Sequence, residues 1–299
     1  MKRSDPRSGM ILVTVLWSIA LLSALAMAAS VTFRGFAGVM AVERDRVQGE
    51  ALLSAGLETA AGIIDTLGDA PLLDSEAKVD LATGSVRSRL SDEGGRIDVG
   101  KAPAEVIAAL LRSVGASESA ANNVAQRIVE RRYPGNAAQP NSEPRPNSEP
   151  RPTIGATRTQ PMVQPFSDLR QLQLVPGMRP EWVAAIAPLA TVFGGETINP
   201  LTAPPGVIAA LPGVAKGQAD AFVKARRSFP ADVERLVRLV EPARRYLAVK
   251  PVRVVAVELT AELANGYAVA ARSVIVVLPQ DSLPYRVLVW SPVPSPGLL

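Results

Sequence analysis

Residues 9–31 read GMILVTVLWSIALLSALAMAASV, an apolar run that starts directly after Gly9 without a polar spacer, and no charged side chain lies between Arg7 and Arg34. At about 1.5 Å per residue, some 20 helical residues cover a bilayer core of about 30 Å, so the run is long enough to span. Lys2, Arg3 and Arg7 outweigh Asp5 on the short N-terminal side. The positive-inside rule therefore holds that end in the cytoplasm and sends the rest across. Three kinds of processing fit these residues. Small-x-small sites at Ala24-Leu25-Ala26 and Ala26-Met27-Ala28 suit a cleaved secretory signal. Left uncut, the run is a signal anchor. A basic leader ending in Gly9 suits a cut between Gly9 and Met10 that keeps the apolar helix, because a residue without Cβ lets a protease approach the backbone.

The residues that follow favour the third outcome. Leu52, Leu53, Leu57, Ala60, Ile63, Ile64 and Leu67 recur at helical spacing, and no proline occurs between residues 31 and 67. The pattern predicts one rod of about 55 residues from Met10, apolar in its first half and amphipathic in its second, stopped by Pro71. A discarded signal has no use for a matching amphipathic half. The expected divisions are a leader at 1–9, an apolar segment at 10–33 and an amphipathic segment at 34–70.

The chain has 299 residues with no Cys and no His, which removes thiol nucleophiles, imidazole bases, disulfides and ordinary zinc or haem sites. An enzyme is not expected. The net charge of +4 is mild, and Arg is spread rather than gathered, so composition gives no reason to expect a nucleic-acid partner.

After residue 70 the pattern turns to strand-like pieces at 79–81, 85–90 and 96–99, separated by Thr83-Gly84 and Gly94-Gly95, which read as a small meander. Pro103 opens a helix that Gly115 closes, and Ser117 caps the next, which runs to Arg132. Residues 134–165 contain PNSEPR twice in succession among further prolines, an extended loop unable to form a packed helix or central strand. Short helices follow at 168–174, 180–189, 203–211 (with Thr202 as N-cap), 216–227 and 232–240. Strands return at 252–263, 267–278 and 285–290, the first two joined by a turn at Asn265-Gly266. Neither strand group suffices alone. The expected fold is α+β: a long N-terminal helix packed on one small antiparallel sheet, with a large all-helical insertion between strands. Residues 71–101 and 246–299 supply the sheet, and 102–245 supply the insertion.

Candidate chemistry is sparse. Asp92 and Glu93 beside Gly94-Gly95 could pair as carboxylates or hold a cation, but adjacent acids in a turn are ordinarily solvated. Glu130, Glu181, Glu196, Asp220 and Asp232 lack the spacing of a calcium loop. The segment LPGVAKGQA at 211–219, with Phe222 and Arg226, resembles a helix-hairpin-helix, whose backbone N–H groups bind a nucleic-acid phosphate. Leu174-Val-Pro-Gly-Met178 is a weaker echo. Ala215 replaces the second hairpin glycine, so packing is favoured over DNA. The alternative function is a membrane-anchored DNA-binding protein using Lys216 and Lys224.

Several separate segments carry a family resemblance. These are the Gly9/Met10 junction, Val15-Leu16-Trp17 with Ala20-Leu21-Leu22, DEGGRIDV at 92–99, PFSDLR at 165–170, LVPGM at 174–178, Thr191-Val-Phe193, Ile198-Asn199, and Thr202-Ala-Pro204. Together they resemble the K-type minor pseudopilins of type II secretion systems (general secretion pathway protein K). The resemblance implies a pilin-like head with a helical insertion, and cleavage by prepilin peptidase between Gly9 and Met10. It also implies methylation of the Met10 amine and a tip complex with other minor pseudopilins. The chain would cross the inner membrane once, with its N-terminus cytoplasmic and its C-terminal domain periplasmic. Thr14 occupies the fifth mature position, where major pilins carry Glu. Gly100 and Leu201 stand where the family usually has Asn, and Glu130-Arg-Arg132 where Asp-Trp-Arg is usual. The calcium held by relatives meets only Glu143 and Glu149 in the 134–165 loop, so no cofactor is expected.

Overall fold

The computed structural model describes residues 6–132 apart from 69 and 74, residues 166–278 apart from 230 and 231, residue 281, and residues 283–293. The loop expected at 134–165 lies outside them. Helix α1 (Pro6–Leu67) is a single helix of 62 residues. It begins ahead of Met10, with Pro6 at a first position where a missing N–H costs nothing. It ends before Gly68, whose φ of 60° suits a residue without Cβ.

In chain order there follow β1 (Ser75–Leu81), β2 (Gly84–Asp92), β3 (Ile97–Asp98), α2 (Ala104–Ser113), α3 (Glu118–Arg132), α4 (Pro180–Ile186), β4 (Ala190–Thr191), α5 (Pro205–Ala209), α6 (Lys216–Ser228), α7 (Val233–Arg238), β5 (Val254–Leu263), β6 (Ala268–Val277) and β7 (Tyr285–Val293). Five strands form one antiparallel sheet in the order β1-β2-β5-β6-β7. The strand groups on either side of the helical body are therefore stitched together at β2–β5, as expected. Leu52, Leu53, Leu57, Ala60 and Ile64 of α1 are buried against this sheet with Val86, Leu90, Val257, Leu259 and Ile275. Gly56 lets the helix lie close, since a Cβ there would sit 2.7 Å from Val86 Cγ2 and 2.9 Å from Leu259 Cδ2. The helical body has its own core, around Leu110, Leu111, Ile128, Phe166, Leu172, Ile186 and Phe222.

One strand departs from the expected meander. β3 does not join β1 and β2; it pairs in parallel with β4, and Ile97 and Val99 are buried in the core of the helical body. The cause is the 3-10 turn Glu93–Gly95, which carries the chain out of the sheet. It fits tightly: a Cβ on Gly95 would lie 2.7 Å from the carbonyl carbon of Thr202. The Gly-Gly pair is thus a corner between two bodies and not a hairpin turn within one. Asn265-Gly266 does make the expected hairpin. Leu263 N–H donates to Tyr267 O at 2.8 Å, and Gly266 has a φ of 85°.

Candidate functional site

The first region of interest is the N-terminal part of α1. Gly9 and Met10 lie in its first turns, and Met10 is 75% exposed. Thr14 Oγ1 donates to Met10 O at 2.9 Å, and Ser18 Oγ donates to Thr14 O at 2.8 Å. Folding the hydroxyls back onto the helix satisfies them without water, as an apolar setting requires. Thr14 consequently offers neither a charge nor a spare donor. Val13, Leu16, Trp17, Ile19, Leu21, Leu22, Leu25 and Met27 are all more than half exposed, and successive residues point to different sides, so the rod is apolar all round. Among the described residues no helix is long and apolar enough to cross a membrane. Farther along, Phe36, Val39, Met40, Val42 and Val47 are also exposed. Their mixture with charged neighbours hid them in the sequence.

The second region is the corner at 92–99. Asp92 and Glu93 were expected to be solvated, with a carboxylate pair or a cation site as the alternatives; both are buried, each on its own partners. Asp92 is buried and accepts from Thr202 Oγ1 at 2.6 Å, Gly94 N–H at 2.8 Å and Asn199 Nδ2 at 3.3 Å. Burial pushes its carboxyl above the usual range, while these hydrogen bonds and the nearby Arg96 work against the rise. Glu93 Oε1 lies 3.2 Å from Arg96 Nη1 and 3.8 Å from Arg272 Nη2. Asp98 is buried as well and accepts from Gly100 N–H at 2.7 Å, with Lys101 Nζ 3.5 Å from its other oxygen. Burial likewise raises its carboxyl. Lys101 continues to Gly194 O at 2.8 Å. Among the described residues no group of three or more acids is gathered for a metal.

This network joins the end of β2 to the loop before α5, and its chemistry is that of a weld. Thr202 therefore does not cap α5 as expected: the cap is Pro204, and the threonine hydroxyl is committed to Asp92. Two arginines complete the joint, and neither is marked by any local period. Arg132 donates to the carbonyls of Val99 and Ala102, and Arg226 to those of Pro200 and Ala203. The other acids scatter; Asp232, for instance, caps α7 by accepting Arg235 N–H at 3.0 Å.

The third region is the hairpin before α6, where Gly213, Ala215 and Gly217 are exposed. Gly213 has a φ of 77°, and a Cβ on it would lie 2.8 Å from Pro242 Cβ, so one side of this exposed glycine rests on the chain's own 3-10 turn Glu241–Tyr246. Ala215 N–H is taken by Gln218 Oε1 at 2.9 Å, Phe222 is buried, and Arg226 points to carbonyls. Lys224 is exposed, and the Lys216 side chain lies outside the described residues. The echo at Gly177 packs in the same way, with Arg127 donating to Pro176 O at 2.7 Å.

Residues 87–195 match the family model described as Type II secretion system (T2SS), protein K, which bears out the resemblance read from the sequence. A chain of the crystal structure of the GspK-GspI-GspJ complex from the enterotoxigenic Escherichia coli Type 2 Secretion System has the same pilin-like fold. It superposes with a TM-score of 0.54 at 14% identity, over 85% of this chain and 97% of that one. A search of curated protein sequences gives no match.

Proposed function

We propose that this chain is a structural, non-enzymatic minor pseudopilin of a type II secretion system, placed at the pseudopilus tip, where it starts assembly and takes part in protein export. The observation that carries the reading is the bare apolar rod. A helix whose side chains from Val13 to Met27 are exposed on every side needs a bilayer first and then neighbouring helices. Prepilin peptidase cuts between Gly9 and Met10, the Met10 amine is methylated, and the retained rod holds the protein in the inner membrane with its head in the periplasm. Other minor pseudopilins pack beside it, a reading supported by the crystallised complex to which the fold is similar.

Thr14 supports the tip position. A subunit stacked above would bring its terminal amine into the dry bundle, and a hydroxyl already bonded to Met10 O supplies no countercharge. The test is the intact mass of the mature chain from cells with and without prepilin peptidase. The expected product begins at methylated Met10 and disappears, in favour of the full leader form, when the peptidase is removed. A Gly9→Leu substitution should block the cut. A mature chain beginning near Ser30 would overturn the reading.

A further inference from the structure

A cavity of about 250 Å³ lies where the helical body meets the sheet, smaller than the roughly 300–1,000 Å³ of pockets for drug-sized ligands. One wall is the loop 193–197, and the other is the segment 248–254 that enters β5. Hydrogen bonds fix the distance between them. Ile198 N–H donates to Tyr246 O at 2.8 Å, Ala248 N–H to Ile198 O at 3.0 Å, and Asn199 Nδ2 to Lys250 O at 3.3 Å. The walls are therefore set in place by the fold itself.

The side-chain groups left without partners on these walls are donors. Lys250 and Arg253 are exposed and have no ion-pair partner among the described residues. Lys250 Nζ nonetheless rests against the loop, 3.5 Å from where a Cβ on Gly195 would lie. Thr197 Oγ1 is buried without a hydrogen bond, a state that costs stability. The N–H groups of Gly194, Gly195, Glu196 and Thr197 also make no hydrogen bond among the described residues. Lys101 Nζ holds the Gly194 carbonyl at 2.8 Å, so the trans peptide turns the Gly195 N–H the opposite way. Among the described residues the lining holds one acid, Asp92, whose two oxygens are already taken by Gly94 N–H, Asn199 Nδ2 and Thr202 Oγ1. Glu196 is exposed, outside the lining, and paired with neither cation.

We propose that this cavity binds a phosphate group, as the free ion or a soluble monoester, held by Lys250, Arg253 and the N–H groups of the 194–197 loop. Two cations beside several free amides suit a dianion with three or more oxygens, where a carboxylate presents only two. A lipid headgroup is not the source. Asn265 Nδ2 donates to Asp45 Oδ2 at 2.8 Å, so the β5–β6 turn marks the end of the sheet nearer the apolar half of α1. The cavity lies at the other end of β5, about 30 Å of strand away. Only this choice of source rests on the membrane reading of α1; the site itself does not.

The test titrates the full chain in detergent, at constant ionic strength, with inorganic phosphate, glycerol 3-phosphate, acetate or chloride, followed by calorimetry and melting temperature. Inorganic phosphate should bind saturably and raise the melting temperature. Acetate should bind about tenfold more weakly, the scale of one lost charge-assisted hydrogen bond, and chloride should not saturate. Glycerol 3-phosphate binding beside inorganic phosphate extends the site to monoesters, and its exclusion restricts the site to the free ion. Lys250→Gln and Arg253→Gln should each weaken phosphate about threefold and together about tenfold, the scale of exposed charge pairs. Their melting in chloride should be unchanged, because both side chains are exposed and unpaired. Arg244→Gln, at an exposed arginine outside the lining, should leave binding as it is. Equal binding of phosphate and acetate, a phosphate response that never saturates, or binding that survives the double substitution overturns the proposal.

Discussion

Replacing Thr202 with Val removes one hydroxyl and almost no volume, which makes it a clean probe of the weld between the sheet and the helical body. The lost bond, Thr202 Oγ1 to Asp92 Oδ2 at 2.6 Å, is made to a buried carboxylate that keeps only Gly94 N–H and Asn199 Nδ2 as donors. A hydrogen bond to a charged group contributes about 1.5–3 kcal/mol, and a buried acceptor leaves little room for water to replace the donor. We expect Thr202→Val to cost about 2 kcal/mol at pH 7, a fall in melting temperature of about 5 °C for a chain of this size. Thr202→Ser should recover most of the loss. The assay is thermal or urea unfolding of the full chain in detergent, followed by emission of Trp182, which is buried in the helical body. The double variant with Asp92→Asn closes the cycle. Most of the threonine's contribution should vanish in the asparagine background, leaving a coupling of about 1–2 kcal/mol. A Thr202→Val effect within about 0.5 kcal/mol, the scale of an ordinary surface change, would refute the weld.

The raised carboxyls at Asp92 and Asp98 fix a sign for pH dependence. Their folded values lie above the unfolded 3.8, so the folded state binds more protons in the window above that value. Stability from these groups therefore falls as pH rises through it. Compared with Asp92→Asn, the native chain should gain stability on acidification from neutral pH toward 4, and an opposite slope in paired melting curves contradicts the burial argument. Gly56→Val drives side-chain atoms into Val86 and Leu259. Overpacking of this kind costs about 1–3 kcal/mol and should speed proteolysis between α1 and the sheet. Gly213→Val combines a strained φ with a clash against Pro242 and should cost about 1–3 kcal/mol, whereas Lys224→Ala should leave the melting temperature unchanged. A hairpin indifferent to Gly213→Val would undo the packing assignment.

The long helix was legible because its signals are local: an unbroken stretch without proline, then Leu52, Leu53, Leu57 and Ile64 on one face, all buried as the period demands. The last three strands were legible for the same reason, with Asn265-Gly266 marking their turn. The corner was not. Asp92 finds Thr202 across 110 positions and Asn199 across 107, a distance over which no periodicity operates. Arg132 reads as an ordinary charge at a helix end and Arg226 as part of the hairpin element, and only folding reveals which carbonyls they meet. β3 is two residues long, and so short a segment cannot announce which sheet it will join. The exposed apolar residues from Phe36 to Val47 carry a helical period like the buried ones after them. What separates the two groups is where the sheet stops covering the rod.

The central pairing of β2 with β5 sets a timetable for the chain. Leu90 faces Val257 across the ladder, so the head cannot close until everything between them has been made and delivered. Joining distant ends carries an entropic cost before any contact repays it. In a nascent molecule the rod is complete while its greasy flank at Leu52 and Leu57 still waits for strands on the ribosome. Any message truncated ahead of residue 254 yields a stalk whose sheet lacks three of its five strands, which is a substrate for quality control and not a smaller version of the protein.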